Sequence, residues 1–183
     1  MSLSPEVSRG GVITLVGNPV KGSRTSAVAQ VVAAGLGHGP GHVPEVIELA
    51  DHGSALFSYD DDRAARAREL VSGAHVLVVA TPVFKAGYTG LLKLFLDSLD
   101  PTALESTVAV PVILTASSAH GAMADLQLRL VLQAVGALLP VPSFVLEEHH
   151  LDHLPQYVEA WQGRFGPAVA AVSDALRPRE VTV

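Results

Sequence analysis

The sequence has no cysteine among its 183 residues, which excludes disulfides, thiolate catalysis and cysteine-based metal sites. Charged residues are scarce at 16%, the formal net charge is −6, and there is no basic run. We therefore expect no nucleic-acid partner. No apolar stretch reaches the roughly 18 residues of a membrane helix, so no membrane association is expected either.

Apolar residues, in contrast, make up 49% of the chain, enough for one domain with a substantial core. We expect a single domain over residues 12–177, a flexible N-terminus at residues 1–11 and a C-terminal tail at residues 178–183. The N-terminal residues lack the apolar segment of a signal peptide, so a cytoplasmic location is expected.

The apolar runs predict five strands that alternate with helices. This alternation indicates parallel βαβ units with right-handed crossovers. Five strands favour an α/β fold, a flavodoxin-like three-layer sandwich with sheet order 2-1-3-4-5 and helices on both faces. Pro111 in the fourth strand indicates a distortion or a position away from the sheet centre. The predicted strands are residues 12–16, 43–49, 75–80, 108–114 and 141–146, and the later helices are residues 60–72, 91–99, 122–138 and 154–176.

The turn after the first strand, GNPVKGSR, has the features of an anion site. A helix pattern begins at Arg24, and a helix N-terminus presents unpaired N–H groups and the positive end of its dipole. Neither the Walker pattern GxxxxGK[ST] nor GxGxxG is present. The turn therefore predicts binding of a terminal monophosphate by hydroxyls and amides. Alternatively, Ser23 only caps the helix, and Thr25 and Ser26 face solvent.

In open parallel sheets, ligands bind outside the carboxyl ends of the strands, where the strand order reverses. The loops after the first, third and fourth strands should therefore form one site. Their sequences are GNPVKGSRTS, TPVFKAGYTG and TASSAHG.

These loops, together with ATPVFKAGYTGLLKLFLDSL around the second, resemble the NAD(P)H-dependent FMN reductases of the flavodoxin-like superfamily. The resemblance runs from about Val12 to Val145 and is nearest to the sulfonate-utilisation type. It implies an NAD(P)H:FMN oxidoreductase that transfers hydride from a nicotinamide nucleotide to FMN. It also implies a supply of reduced FMN to a two-component monooxygenase. Separately from the resemblance, the apolar helix faces and the 49% apolar content favour a homodimer or homotetramer.

The resemblance also assigns residues to FMN, without any catalytic acid or base and without a metal. It implies a backbone donor near flavin N5 from the turn at residues 83–85. This chain departs from relatives at Asn18, Phe84 and Thr115-Ala116, where they often have serine, tyrosine and glycines. The phosphate is assigned to Asn18, Ser23, Arg24, Thr25 and Ser26, the ribityl chain and ring edge to Pro82, Val83, Phe84 and Lys85, and the ring border to Ser117, Ser118 and His120.

Other functions stay open. A quinone or azo reductase with tightly bound FMN belongs to the same class, while a flavodoxin-like electron carrier and a flavin-free interaction domain belong to others. The carrier is disfavoured because the candidate loops contain Lys21, Arg24 and Lys85 but no carboxylate.

Two polar clusters have alternative interpretations. A hydrolase triad from Ser117 or Ser118, His120 and Asp125 is disfavoured, since the GxSxG nucleophile elbow is absent. The second cluster is more typical of a solvated loop than of a metal site; it comprises Glu147, Glu148, His149, His150 and His153.

Overall fold

The protein is described here by a computed structural model covering residues 11–36 and 44–177. The expected flexible N-terminus, apart from Gly11, and the expected tail at residues 178–183 lie outside the described residues. So does Val43, the first residue of the second predicted strand.

Five parallel strands form one sheet in the order β2-β1-β3-β4-β5, which confirms the predicted fold class. Every residue of β1, β3 and β4 is buried, as expected for strands covered on both faces. The strands are β1 (Val12–Val16), β2 (Glu45–Glu48), β3 (Val76–Pro82), β4 (Val108–Thr115) and β5 (Phe144–Glu147).

Five α-helices cover the two faces of the sheet: α1 (Arg24–Ala34), α2 (Asp62–Ser72), α3 (Gly90–Leu96), α4 (Ser118–Ala134) and α5 (Leu154–Leu176). One apolar cluster joins α1 and α5 to one face, and a second joins α2, α3 and α4 to the other. Short 3-10 segments follow β2 and β5. In the two described stretches, no helix has the length and apolar character needed to cross a bilayer.

Helix α4 begins and ends four residues earlier than predicted, at Ser118 and Ala134. At its start, the Ser117 side chain accepts a hydrogen bond from the backbone N–H of His120. At its end, Gly136 adopts a φ of +93°, and the Ala137 N–H donates to an earlier carbonyl of the helix. Ser118 and His120, predicted in a loop, therefore lie in the first turn of α4.

Pro111 lies in a regular part of β4, opposite Val79 of β3. The Ala109 N–H donates to the carbonyl of Leu138 on the β5 side. The backbone N–H groups of alternate residues in a strand point to the same side. The missing N–H of Pro111 therefore faces the β5 side, where pairing with β5 begins only at Val112. No ladder hydrogen bond is lost, so no distortion results. The alternative expectation, a position away from the sheet centre, agrees with β4 lying next to the edge strand.

Candidate functional site

The loops after β1, β3 and β4 meet at one edge of the sheet and are joined by hydrogen bonds. The Gly17 N–H donates to the Ala80 carbonyl at 2.8 Å, and the Thr89 hydroxyl donates to the Gly17 carbonyl. The Val83 N–H donates to the Leu114 carbonyl at 3.0 Å. The structure therefore brings together the three loops that the sheet rule grouped.

Asn18 folds the turn after β1 through both ends of its side-chain amide. Its Nδ2 donates to Oγ1 of Thr25 at 3.1 Å, while its Oδ1 accepts from the Val20 N–H at 2.8 Å. A serine side chain is too short to make both bonds in this way. Asn18 therefore ties the turn to the first turn of α1.

The first turn of α1 has the form of an anion site. Ser23 is the N-cap, and its hydroxyl accepts from the Ser26 N–H at 3.2 Å. Thr25 and Ser26 are buried, so the alternative in which they face solvent is wrong. Within residues 11–36 and 44–177, the backbone N–H groups of Arg24 and Thr25 have no hydrogen-bond acceptor. Both are therefore available to an anion, which the helix dipole also favours.

Glu48, the last residue of β2, supports this turn with both carboxylate oxygens. Oε2 accepts from the Gly22 N–H at 2.9 Å, and Oε1 accepts from the Ser26 hydroxyl at 2.8 Å. Gln30 donates to the same hydroxyl at 3.1 Å. Because the Ser26 hydroxyl donates its hydrogen bond to Glu48, it cannot also donate one to a phosphate in this arrangement.

The two cations of the turn are paired with carboxylates from neighbouring segments. Lys21 Nζ lies 2.9 Å from Asp51, and the hydrogen bond to Asp51, aided by its charge, raises the pKa of Lys21. Arg24 Nη2 lies 3.0 Å from Oε2 of Glu148. The loops contain no carboxylate of their own. Neighbouring segments supply three, from Glu48, Asp51 and Glu148. The site is therefore not free of carboxylates, and an electron carrier is no longer disfavoured by charge alone.

The loop after β3 contains a tight turn from Phe84 to Gly87. The Phe84 N–H donates to the Gly87 carbonyl at 2.9 Å, and the Gly87 N–H donates back at 3.1 Å. The central residues, Lys85 and Ala86, have φ of +54° and +63°. Such a type I′ turn normally contains asparagine and glycine. Strained backbone of this kind clusters at functional sites.

Only part of this loop has backbone donors available for a ligand. Pro82 ends β3, buried, and has no N–H. The amides of Val83 and Phe84 are already bonded to Leu114 and Gly87. In the described part of the chain, the Lys85 N–H has no acceptor, so the predicted backbone donor from residues 83–85 narrows to Lys85.

The loop after β4 is only two residues long and is held by Thr115. The Thr115 hydroxyl donates to the Ser117 carbonyl at 2.8 Å and accepts from the Ser117 N–H at 3.2 Å. Ser118 and His120 are exposed in the first turn of α4, beside the same sheet edge. Two helix N-termini, those of α1 and α4, therefore follow strands that end at this edge.

The sequence model of the family described as NADPH-dependent FMN reductase matches residues 11–152. The chain belongs to this family. It is 32% identical to the FMN reductase (NADPH) of Escherichia coli K12, over 94% of this chain and 93% of that protein. It is 33% identical to the NADH-dependent FMN reductase SfnE of Pseudomonas putida, over 78% of this chain and 80% of that protein.

Solved structures of flavoproteins share the architecture. The chain superposes on a crystal structure of the NADH:FMN oxidoreductase EMOB with a TM-score of 0.75 and 26% identity, over 96% of this chain and 94% of that one. A flavodoxin, WrbA-like protein from Agrobacterium tumefaciens shares the fold with a TM-score of 0.65 and 15% identity, over 93% of this chain and 100% of that one. The family makes this chain an oxidoreductase that uses FMN and a nicotinamide nucleotide.

FMN reductases need a phosphate site and a surface for the flavin ring, and the residues at this edge fit both. The N–H groups of Arg24 and Thr25 and the Ser23 cap suit a phosphate. Phe84, 53% exposed, and the Lys85 N–H suit a ring edge. The assignment of individual residues to FMN stays a prediction.

The other polar clusters do not form catalytic arrangements in the described residues. No hydrogen bond there joins a serine hydroxyl to the His120 ring, and the Asp125 carboxylate accepts from Ser143 instead. The same residues contain no group of three metal ligands that could hold an ion. The ring centroids of His149 and His150 lie 3.9 Å apart with the rings tilted by 44°, and His150 also contacts the ring of Tyr157.

Sequence reasoning missed Glu48 and Thr89, and it considered Glu148 only as a member of the acidic and histidine cluster, not as a partner of Arg24. Both glutamates directly follow or end a strand, so the rule that grouped the loops could have placed them at the same edge. Thr89 is the N-cap of α3, and a threonine before an apolar helix is a start signal readable from sequence.

Proposed function

We propose that this FMN reductase binds FMN across the three joined loops, reduces it with NADH or NADPH, and releases it to a flavin-dependent monooxygenase. The observation that carries the proposal is the hydrogen-bonded junction of these loops beside the N-terminus of α1. When bound, FMN supplies the redox chemistry by accepting hydride from the nicotinamide.

The residues of the chain bind and orient rather than transfer protons. The N-terminal amides of α1, Ser23 and Arg24 hold the phosphate. Asn18 keeps the turn closed against Thr25. Lys85 offers its backbone N–H to the flavin edge. No side chain is assigned as a general acid or base.

Steady-state kinetics test whether FMN is a substrate. We expect the rate of NADH or NADPH oxidation to saturate with added FMN, and dialysed protein to lack flavin. A quinone or azo reductase with tightly bound FMN would instead keep its yellow colour, and added FMN would not change the rate.

Delivery of reduced FMN is tested with a two-component monooxygenase that has no reductase of its own. We expect product to form when this chain, FMN and the nucleotide are added, and a dialysis membrane between the two proteins to slow rather than abolish it. Product formation equal to that of a mixture without this chain would contradict the supply role. The cytoplasmic location stays a prediction.

We also propose that the chain forms a homo-oligomer through the outer face of α4. Met123, Leu126 and Leu130 are 51%, 63% and 59% exposed on this face. The helix's Asp125 and Arg129 turn toward the segment before β5, where they bond to Ser143 and to backbone carbonyls. The outer face is therefore apolar in a chain of net charge −6, so two copies meet there with little repulsion.

Analytical ultracentrifugation tests this interface. We expect Leu126→Glu to shift the protein toward monomer because it places two like charges in an apolar contact. Val31→Glu, at an exposed position of α1 on the opposite layer, is the matched control and should leave the assembly intact. A monomeric wild-type protein, or an unchanged assembly in Leu126→Glu, would contradict the proposal.

A further inference from the structure

Arg24 is the cation nearest the free amides of α1, yet its guanidinium is already engaged. Nη2 lies 3.0 Å from Oε2 of Glu148, in the 3-10 segment after β5. In the sheet, β3 and β4 lie between β1 and β5, so this ion pair spans the edge where the three loops meet. A phosphate bound in the turn has to share Arg24 with a carboxylate of the same chain.

We propose that Glu148 competes with the phosphate of FMN for Arg24 and thereby speeds the release of FMN. The inference rests on the proposed function, because it concerns the same phosphate site. The side chains of Arg24 and Glu148 are 66% and 39% exposed, and ion pairs at such positions are weak and exchange readily. Arg24 can therefore turn from Glu148 to a phosphate and back.

The charge around the turn supports release rather than permanent binding. Two cations, Lys21 and Arg24, face three carboxylates, Glu48, Asp51 and Glu148. The turn and its partners thus sum to −1 before a phosphate arrives. A phosphate monoester carries nearly two further negative charges at neutral pH. Glu148 therefore repels the bound phosphate as well as competing for its ligand.

Fluorescence titration of FMN, at fixed ionic strength, tests the proposal with Glu148→Gln. This variant keeps the side-chain shape and removes the charge. We expect FMN to bind about two- to fivefold more tightly, the range set by an exposed ion pair. The gain should come from slower dissociation, measured by stopped-flow dilution of the complex. In an Arg24→Ala background, most of the gain should disappear, because the competition acts through Arg24.

Glu147→Gln is the matched control. It removes the same charge at the neighbouring residue, whose carboxylate faces His149. We expect it to leave FMN affinity unchanged. Equal tightening in both variants would reduce the effect to net charge and overturn the proposal. Unchanged or weaker binding in Glu148→Gln would also overturn it, and weaker binding would make Glu148 a residue that positions Arg24. If the wild-type chain does not bind FMN at all, the proposed function fails first.

Discussion

Replacing Ala86 with glycine should stabilise the protein, although glycine usually destabilises folded chains. Ala86 has a φ of +63° in the turn between Phe84 and Gly87. A left-handed conformation costs a non-glycine residue about 1–2 kcal/mol. The greater freedom of glycine in the unfolded chain takes back about 0.5–1 kcal/mol. The difference between the centres of these two ranges is a net gain of about 0.75 kcal/mol.

Thermal unfolding followed by circular dichroism measures this effect. For a domain of this size, about 1 kcal/mol corresponds to a Tm shift of roughly 2–4 °C. The control is Ala65→Gly, because Ala65 is exposed within α2, where glycine should cost about 1 kcal/mol. The two substitutions should therefore shift Tm in opposite directions. An Ala86→Gly variant that unfolds as early as Ala65→Gly would refute the strain assigned to this turn.

Substitutions at five other positions test further features of the fold and the site. Arg24→Ala should weaken FMN binding about ten- to a hundredfold, from the loss of a charge-assisted hydrogen bond, and unchanged affinity in a fluorescence titration would contradict its role. Thr14→Val should raise the free energy of unfolding by about 1 kcal/mol, because the buried Thr14 hydroxyl has no partner in the described residues. Thr107→Val, which loses a 2.8 Å bond to a backbone carbonyl, should lower it; chemical denaturation compares the pair. Thr89→Ala should cost about 1–2 kcal/mol through loss of the α3 cap, and Thr89→Ser should restore most of it. Burial lowers the pKa of His52 from its ordinary 6.5, so the unfolded chain binds the proton first and stability falls as the pH drops below that value. The Tm of His52→Gln should therefore fall less than that of the wild type between neutral pH and about pH 5.5. An equal fall in Tm would contradict the lowered pKa of His52.

The fold could be predicted from the sequence because its three inner strands are apolar on both faces. Such runs, alternating with helix patterns, leave few parallel arrangements, and the order β2-β1-β3-β4-β5 is one of them. The start of α4 was missed because TASSAHG has the composition of a loop. In the structure, the Gly121 N–H donates to the Ser117 carbonyl at 3.0 Å and the His120 N–H donates to the Ser117 hydroxyl, so the helix already begins at Ser118.

The loops of the candidate site could also be grouped from sequence, since the carboxyl ends of parallel strands share an edge. The carboxylates that pair with these loops could not be predicted from sequence, because they are distant from the loops in the chain. Glu48 is 26 residues from Gly22, and Glu148 is separated from Arg24 by most of the domain. The sequence also gives no indication of the positive φ at Lys85 and Ala86, because neither residue is usual in such a turn.

Anaerobic mixing of the wild-type protein with FMN and either NADH or NADPH shows whether the chain reduces FMN. We expect the flavin absorbance to bleach at a rate proportional to protein concentration with at least one nucleotide, and more slowly at the same low FMN concentration with Arg24→Ala. Bleaching no faster than in protein-free controls, with both nucleotides, would contradict this expectation.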